Sequence, residues 1–163
     1  MTDYTTWPVI GQGTERTCYQ NPDDPCRLVK ISLDGNDRQT KREIRYFRFL
    51  LDRGVPFDHI PKFYGEIQGD GFTGFEQECV CDATGSETAG TPSMALWQYL
   101  SSPLSQEQMQ ELLAALDELK TYLLRYNIIP SDLGIHNIVV KRMPSGIRLV
   151  LIDGFGSTEL IPA

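Results

Sequence analysis

The sequence has no long hydrophobic run, little histidine and no excess of basic residues, and these absences exclude whole classes of protein. No stretch of about 18 consecutive apolar residues occurs, so the sequence predicts no membrane-spanning helix. Lysine and arginine total 15 against 22 aspartates and glutamates. This balance argues against sequence-independent binding of nucleic acid, because such binding needs clustered cations. We therefore expect neither a membrane nor a nucleic acid as a partner.

Cysteine is also scarce, and its placement bears on the compartment. The four cysteines form no C-x-x-C pair and have no histidine at ligand spacing. Cys79 and Cys81 alternate around Val80, which on a strand would put both thiols on one face. That spacing suits a soft metal, but it suits a buried strand with small apolar thiols better. Since the first ten residues contain no basic n-region and no apolar h-region, we expect a cytoplasmic protein.

The sequence does contain enough apolar material for a core, with 40% hydrophobic residues in a length typical of one domain. Its first half reads as strands around one helix. Residues 27–32 form an apolar strand with a single lysine, and 62–67 with 72–81 form a hairpin. Between them, the spacing over 37–52 predicts a helix with one apolar stripe, made of Ile44, Phe47, Leu50 and Leu51.

The second half reads as mainly helical. Residues 82–93 are small, polar and rich in glycine, which favours a hinge or linker. Ser105 and Gln108 form a capping box for a helix that continues to about Asn127. The residues predicted for its buried face are Met109, Leu112, Leu113, Leu116, Leu119 and Leu123. Two short strands over 137–142 and 147–152 complete an α+β chain, β-rich first and helical second.

Two features of the first half could carry chemistry. Gly11 and Gly13 lie between two predicted strands, where a loop without Cβ atoms lets backbone N–H groups approach a phosphate. A simple hairpin turn explains the same two glycines. Lys30 is centred in an apolar strand, and Glu43 is the carboxylate in the middle of the following helix. An ion pair of these two side chains and a solvated outward lysine are both compatible with the pattern.

Two further features lie in the second half. Asp132 and Asn137 stand five residues apart between the long helix and a strand, so the aspartate could deprotonate a hydroxyl while the asparagine binds a hard cation. Asp153 and Gly154 end the last strand, where an acid can hold Mg²⁺ bound to phosphates. Plain polar turns remain the alternative at both places.

The order of these features matches the protein-kinase signature set. The chain resembles the protein-kinase-like superfamily and, more narrowly, the bacterial YrbL family of PhoP regulatory network proteins. The stretches that carry this resemblance are Val9-Ile10-Gly11-Gln12-Gly13, Cys18-Tyr19, Val29-Lys30-Ile31, Arg42-Glu43-Ile44-Arg45-Tyr46-Phe47, Ile60-Pro61-Lys62-Phe63-Tyr64-Gly65 and Gly156-Ser157-Thr158-Glu159-Leu160-Ile161-Pro162.

The resemblance implies a minimal bilobal fold, with a β-rich N-lobe over about 1–80 and a hinge and truncated helical C-lobe over about 81–163. It further implies ATP and Mg²⁺ as cofactors. The implied roles are phosphate binding by the loop Gly11, Gln12 and Gly13, phosphate binding by Lys30 paired with Glu43, adenine binding by the backbone of Glu78 to Val80, base catalysis by Asp132, and Mg²⁺ binding by Asn137 and Asp153.

Several positions depart from the kinase pattern. Pro130-Ser131 replaces the usual His-Arg, Gly134 replaces a lysine, and Arg16 replaces the third glycine of the loop. The leading hypothesis is a Mg²⁺–ATP-dependent phosphotransferase of unknown substrate. The departures leave open a pseudokinase that acts as a nucleotide-binding or regulatory module through a partner protein, and the Asp-to-Asn spacing also leaves open a small-molecule kinase.

Overall fold

The computed structural model describes residues 1–155 and confirms the α+β class. Residues 156–163, which carry the last stretch of the family resemblance, lie outside the described residues. The chain forms two units. Unit 1 comprises Met1–Pro56 and Lys62–Cys79, and unit 2 comprises Phe57–Pro61 and the chain from Val80 onward.

Unit 1 contains a five-stranded antiparallel sheet in the order β1-β2-β3-β5-β4. A short 3-10 turn at Tyr4–Thr6 precedes the sheet. The elements are β1 Val9–Gln12, β2 Thr17–Gln20, β3 Arg27–Leu33, α1 Arg38–Asp52, β4 Phe63–Gly69 and β5 Phe72–Glu78. The predicted strand, helix and hairpin of this half are therefore confirmed to within a few residues.

Helix α1 packs on this sheet through aromatic rings. The ring of Phe47 lies 5.3 Å from that of Phe63 and 5.8 Å from that of Phe75, measured between centroids. Ile44, Phe47 and Leu50 of the predicted stripe are buried, but Leu51 is 48% exposed. The prediction for Leu51 was wrong although the residue lies within about 40° of Ile44 and Phe47 around the helix axis. Leu51 is in the last turn of α1, which ends at Asp52, and the periodicity does not show that this turn is left uncovered.

Unit 2 contains a three-stranded antiparallel sheet in the order β6-β7-β8. Its elements are β6 Met94–Ala95, α2 Leu96–Tyr99, α3 Gln106–Arg125, β7 Ile138–Met143 and β8 Gly146–Leu151. Strand β6 and helix α2 were not predicted, since two and four residues are too few to show a periodicity. Across residues 1–155, the helices are too short or too polar to cross a membrane.

The long helix α3 begins as predicted but buries a different face. Ser105 Oγ accepts from the N–H of Gln108 at 3.1 Å, and Gln108 Oε1 accepts from the N–H of Ser105 at 2.9 Å, which confirms the capping box. The buried residues of α3 are Leu112, Ala115, Leu119, Tyr122 and Leu123. The prediction was wrong for three residues that are exposed, Met109, Leu113 and Leu116. The apolar residues of α3 extend further around the helix than the core of unit 2 covers.

The segment Phe57–Pro61 follows α1 in sequence but belongs to unit 2. The carbonyl of His59 accepts from the N–H of Leu151 at 2.9 Å, and the Nδ1–H of His59 donates to the carbonyl of Leu149 at 2.7 Å. The buried imidazole also lies 4.9 Å from the ring of Tyr122. His59 thereby covers the outer edge of β8, whose backbone groups would otherwise lack partners.

Residues 82–93 also belong to unit 2, because the chain passes between the units at Cys79 and Val80. The buried carboxylate of Asp82 organises this segment. It accepts hydrogen bonds from the hydroxyl of Thr88, from Ser93 Oγ at 2.7 Å and from the N–H of Arg142 at 2.9 Å. Burial alone raises the pKa of Asp82, but these hydrogen bonds outweigh burial and the pKa lies below its ordinary value.

We predict that Asp82→Asn lowers the free energy of unfolding by about 1–3 kcal/mol at pH 7, because hydrogen bonds to a charged acceptor are lost. A carboxylate with a lowered pKa stabilises the fold above the ordinary pKa of aspartate, and this contribution disappears as the pH falls through the native pKa. Urea unfolding should therefore separate variant and parent at pH 7, and the difference should shrink as the pH falls below the ordinary pKa of aspartate. Asp70→Asn, in the exposed β4–β5 turn, is the control, and an equal loss in both variants would contradict the prediction.

Candidate functional site

One group of candidate site residues is a buried ion cluster in unit 1. Lys30 lies in the middle of β3, and its Nζ is 3.0 Å from Oε1 of Glu43 on α1. The guanidinium of Arg16 contacts the other carboxylate oxygen, Oε2, at 2.6 Å. All three residues are at most 8% exposed. One carboxylate thus holds two cations inside an otherwise apolar layer, as the ion pair predicted for Lys30 and Glu43 requires.

The periods of strand and helix bring these groups together. Ser32 and Lys30 point to the same face of β3, and Thr40 and Glu43 lie on one face of α1. The hydroxyls of Ser32 and Thr40 are 2.6 Å apart, so this contact and the Lys30–Glu43 ion pair fix α1 along β3. Lys30 pairs across the sheet with Phe75, and its Nζ lies 5.6 Å from the centre of that ring.

Arg16 is a site residue that the sequence analysis did not predict, since it was noted only as a replacement for glycine. Strand β2 pairs with β3 so that Cys18 lies opposite Lys30. Arg16 stands two residues before Cys18, which makes it the diagonal neighbour of Lys30 on the same face. The strand register is the signal that could have revealed it, and a single sequence does not provide that register.

The predicted phosphate loop is a four-residue turn over 13–16 between β1 and β2. The N–H of Gly13 donates to the carbonyl of Arg16 at 2.9 Å, which closes the turn. Gly11 lies within β1 opposite Cys18, and a Cβ atom there would be 3.7 Å from that of Cys18, an ordinary contact. Gln12 and Gly13 are exposed. The fold therefore does not itself require glycine at position 11, and the phosphate-binding role of this loop stays a prediction.

The segment predicted to bind adenine is partly occupied by other contacts. The N–H of Glu78 donates to the carbonyl of Lys62 at 2.8 Å, and that of Cys79 donates to the carbonyl of Cys26 at 2.9 Å. The carbonyl of Val80 accepts from the N–H of Ser93 at 2.9 Å. Of these three residues, Val80 alone has an N–H that donates to no residue in the described part of the chain. Adenine recognition by this backbone remains a prediction.

Cys79, which the sequence left open as a metal ligand, has the properties of a structural thiol. It is free and half-buried, and burial raises its pKa to about 11. A metal ligand must be a thiolate, so this environment disfavours metal binding. Residues 1–155 also contain no cluster of three or more histidine, cysteine or acidic side chains able to hold a metal ion.

A separate group of candidate site residues lies in the loop after α3 in unit 2. Asp132 is exposed, and its Oδ1 accepts from the N–H of Gly134 at 3.0 Å. The side-chain amide of Asn137 donates to the carbonyl of Asp132 at 3.4 Å, and the N–H of Asn137 donates to the carbonyl of Gly134 at 2.9 Å. These hydrogen bonds close the loop, so that Asp132 and Asn137 lie at its two ends and remain in contact.

Gly154 joins this loop to the end of β8. Its φ is +76°, a left-handed conformation that favours glycine, and a Cβ atom there would lie 2.7 Å from the carbonyl oxygen of Asp132. The carbonyl of Gly154 accepts from the N–H of Ser131 at 2.6 Å, and Phe155 pairs with Pro130 as a β-bridge. The absence of a side chain at position 154 is what lets the backbone at Gly154 pack against the backbone of Asp132.

Asn137 and Asp153 lie at the same end of the β7–β8 hairpin. Ile138 pairs with Leu151, and the N–H of Ile152 donates to the carbonyl of Asn137 at 2.8 Å, so the two predicted ligands directly continue a strand pair. Amide and carboxylate oxygens suit Mg²⁺, which proteins commonly bind through one or two such groups together with substrate phosphates. The two residues fit that mode of binding.

Comparison with known proteins adds the family. The model of the family described as PhoP regulatory network protein YrbL matches residues 5–163. Two curated proteins, from Escherichia coli strain K12 and from Shigella flexneri, each bear the name uncharacterized protein YrbL. Each is 31% identical to this chain over 157 residues, which cover 94% of this chain and 72% of the relative. The range that the family model matches thus spans the candidate site residues of both units.

We predict that Glu43→Gln lowers the free energy of unfolding by about 3–5 kcal/mol, because two buried cations lose their shared carboxylate. Lys30→Met should cost only about 1 kcal/mol, since Arg16 still pairs with Glu43. Chemical denaturation of the two variants measures the difference. Equal losses would show that the carboxylate is not the centre of the cluster.

We also predict that Gly154→Ala destabilises unit 2 more than Gly90→Ala. Both glycines have positive φ, +76° and +79°, but a Cβ atom at position 90 meets nothing within 4 Å. Gly90→Ala should cost about 1–2 kcal/mol for the left-handed conformation alone. Gly154→Ala adds the clash with the backbone of Asp132. Thermal unfolding of both variants tests this, and similar midpoints would argue against close packing of the two loops.

Proposed function

The chain belongs to the YrbL family of PhoP regulatory network proteins, and we propose that it is an ATP- and Mg²⁺-dependent phosphotransferase with a protein-kinase-like fold. The observation that carries the proposal is the buried pair of Lys30 with Glu43. Burying a lysine costs desolvation energy that an ion pair repays only in part, so a role for the charge explains this pair better than stability does. Binding of an anionic nucleotide is the function that this charge would serve.

Lys30 would hold the phosphates of the nucleotide. Its ammonium group has three N–H donors, and among the described residues it donates to Glu43 alone. Glu43 would keep the ammonium group in position and charged, while the remaining donors are suited to phosphate oxygens. Arg16, on the same carboxylate, would add a second positive charge close to the loop of Gly11 to Gly13.

Asp132 would act as the catalytic base. Its carboxylate is exposed and accepts one N–H from Gly134, which orients it without burying it. It would take the proton of an acceptor hydroxyl as that oxygen bonds to the γ-phosphorus and the bond to the leaving ADP breaks. Asn137 and Asp153 would hold Mg²⁺, which neutralises charge on the phosphates when bound.

A second candidate is a regulatory module that binds nucleotide or a partner protein without transferring phosphate. The turn over 13–16 favours it, because the N–H of Gly13 is used by the carbonyl of Arg16 and the guanidinium of Arg16 is used by Glu43. These donors are then less available to a phosphate. The description of the family, which refers to the PhoP regulatory network, is in keeping with such a role.

The test is a thermal shift with millimolar ATP, with and without Mg²⁺, followed by measurement of ATP hydrolysis. Binding should raise the midpoint in proportion to RT ln(1 + [L]/Kd). We expect Lys30→Met to abolish the shift and Asp153→Asn to remove its dependence on Mg²⁺. Asp132→Asn should keep the shift and lose turnover by a factor of about 10² or more.

The matched controls are Lys41→Met, an exposed lysine of α1, and Asp70→Asn, an exposed aspartate of the β4–β5 turn. Both should behave as the parent protein. A parent that shows no shift at millimolar nucleotide would refute nucleotide binding and with it the phosphotransferase. If the parent shows a thermal shift with ATP but no hydrolysis that depends on Asp132, the result would favour the regulatory module over the phosphotransferase.

A further inference from the structure

Helix α3 presents more apolar surface than its own unit buries. Viewed down the helix axis, with successive residues about 100° apart, its apolar side chains cover an arc of about 200°. Tyr122 and Leu124 lie at the two edges of this arc, which is roughly twice as wide as that of an ordinary surface helix. The buried residues take up one side of this arc. The other side is a stripe of four exposed residues, each 38–67% exposed, namely Met109, Leu113, Leu116 and Leu124.

A groove of about 520 Å³ runs beside this stripe within unit 2. Leu116, Leu123 and Leu124 of α3 form one wall. Leu133 and Ile135, from the loop that also carries Asp132, belong to the opposite wall and are 54% and 43% exposed. Lys120 is the one charged side chain among the lining residues. A stripe of protruding apolar side chains next to an apolar groove forms a self-complementary surface, because the stripe of one copy can occupy the groove of another.

We propose that a second copy of this chain covers the stripe and groove, through antiparallel packing of α3 on α3 about a two-fold axis. The stripe extends from Met109 to Leu124, so its midpoint lies beside Leu116. In a two-fold arrangement centred there, Leu116 faces its own copy and Leu124 faces Met109 of the other copy. Leu113 faces Lys120, whose aliphatic stem packs on apolar surface while the ammonium group stays in water.

The exposed area and the helix dipoles both favour a second copy. The four stripe residues with Leu133 and Ile135 expose on the order of 500 Å² of apolar surface, comparable to the largest patch on a typical monomer and a large part of the ~800 Å² that each partner of a stable interface buries. Antiparallel helices also align their dipoles favourably. A two-fold contact needs only the surface that this chain carries, and each copy supplies both a stripe and a groove.

The first test is the oligomeric state of the full chain by sedimentation velocity over 1–100 μM, roughly the range in which interfaces of this size associate. We expect a dimer. The double variant Leu113→Glu/Leu124→Glu should raise the dissociation constant at least about 100-fold, since it places carboxylates in an apolar contact. These side chains are already largely exposed, so the variant should keep its helical circular dichroism.

Leu51→Glu is the matched control, because Leu51 is a similarly exposed leucine of a helix in unit 1. It should dimerise as the parent does. A parent that stays monomeric at 100 μM would overturn the proposal. So would a double variant that dimerises normally, or a control that loses the dimer to the same extent.

Cross-linking tests the register independently. In Leu116→Cys the new thiols would face each other, within reach of a bismaleimide that spans the about 8–10 Å between packed helix axes. In Leu124→Cys they would be about 22 Å apart, at 1.5 Å per residue from the axis. We expect cross-linked dimer only from Leu116→Cys, with the parent as blank for its own thiols. Equal cross-linking of both variants, or of neither, would overturn the two-fold arrangement.

Discussion

The carboxylate of Glu43 is the contact on which unit 1 most depends. It receives Arg16 from the turn between β1 and β2 and Lys30 from the centre of β3, while its own backbone belongs to α1. Three separate parts of the chain are therefore held at one pair of oxygens. Since all three charges are buried, both cations are satisfied only while the carboxylate of Glu43 is in place, and the cluster makes the position of α1 on the sheet specific.

In unit 2, a backbone contact holds separate parts of the chain in fixed positions. Gly154 lies so close to Asp132 that no side chain fits between them, and the bridge from Pro130 to Phe155 keeps the two loops aligned. Asn137 and Asp153 then continue a strand pair whose hydrogen bonds fix their positions. In each unit, candidate site residues are thus held by short-range geometry of the main chain or by ion pairs, rather than by flexible surface loops. Residues held in this way are suited to chemistry that relies on positioning.

The success of the sequence predictions depended on how local each signal was. The capping box of Ser105 and the spacing within α1 are local patterns, and both were confirmed. The pairing of Lys30 with Glu43 was predictable because one strand and the next helix place them on facing surfaces. Arg16 was missed because its place follows from the register of β2 on β3. The buried face of α3 was predicted wrongly at Met109, Leu113 and Leu116, since an arc of apolar residues does not say which part meets the core.

The sequence was sufficient for the longer helices and strands, the α+β class, the family and the candidate site residues other than Arg16, because periodicity, capping and motif spacing are properties of neighbouring residues. The tertiary structure alone decided which side of α3 is buried, that Arg16 shares the carboxylate of Glu43, and that residues 57–61 and 82–93 belong to unit 2. Those outcomes depend on strand register and on packing between distant segments. Such contacts are selected by burial and charge in three dimensions, and no pattern of adjacent residues encodes them.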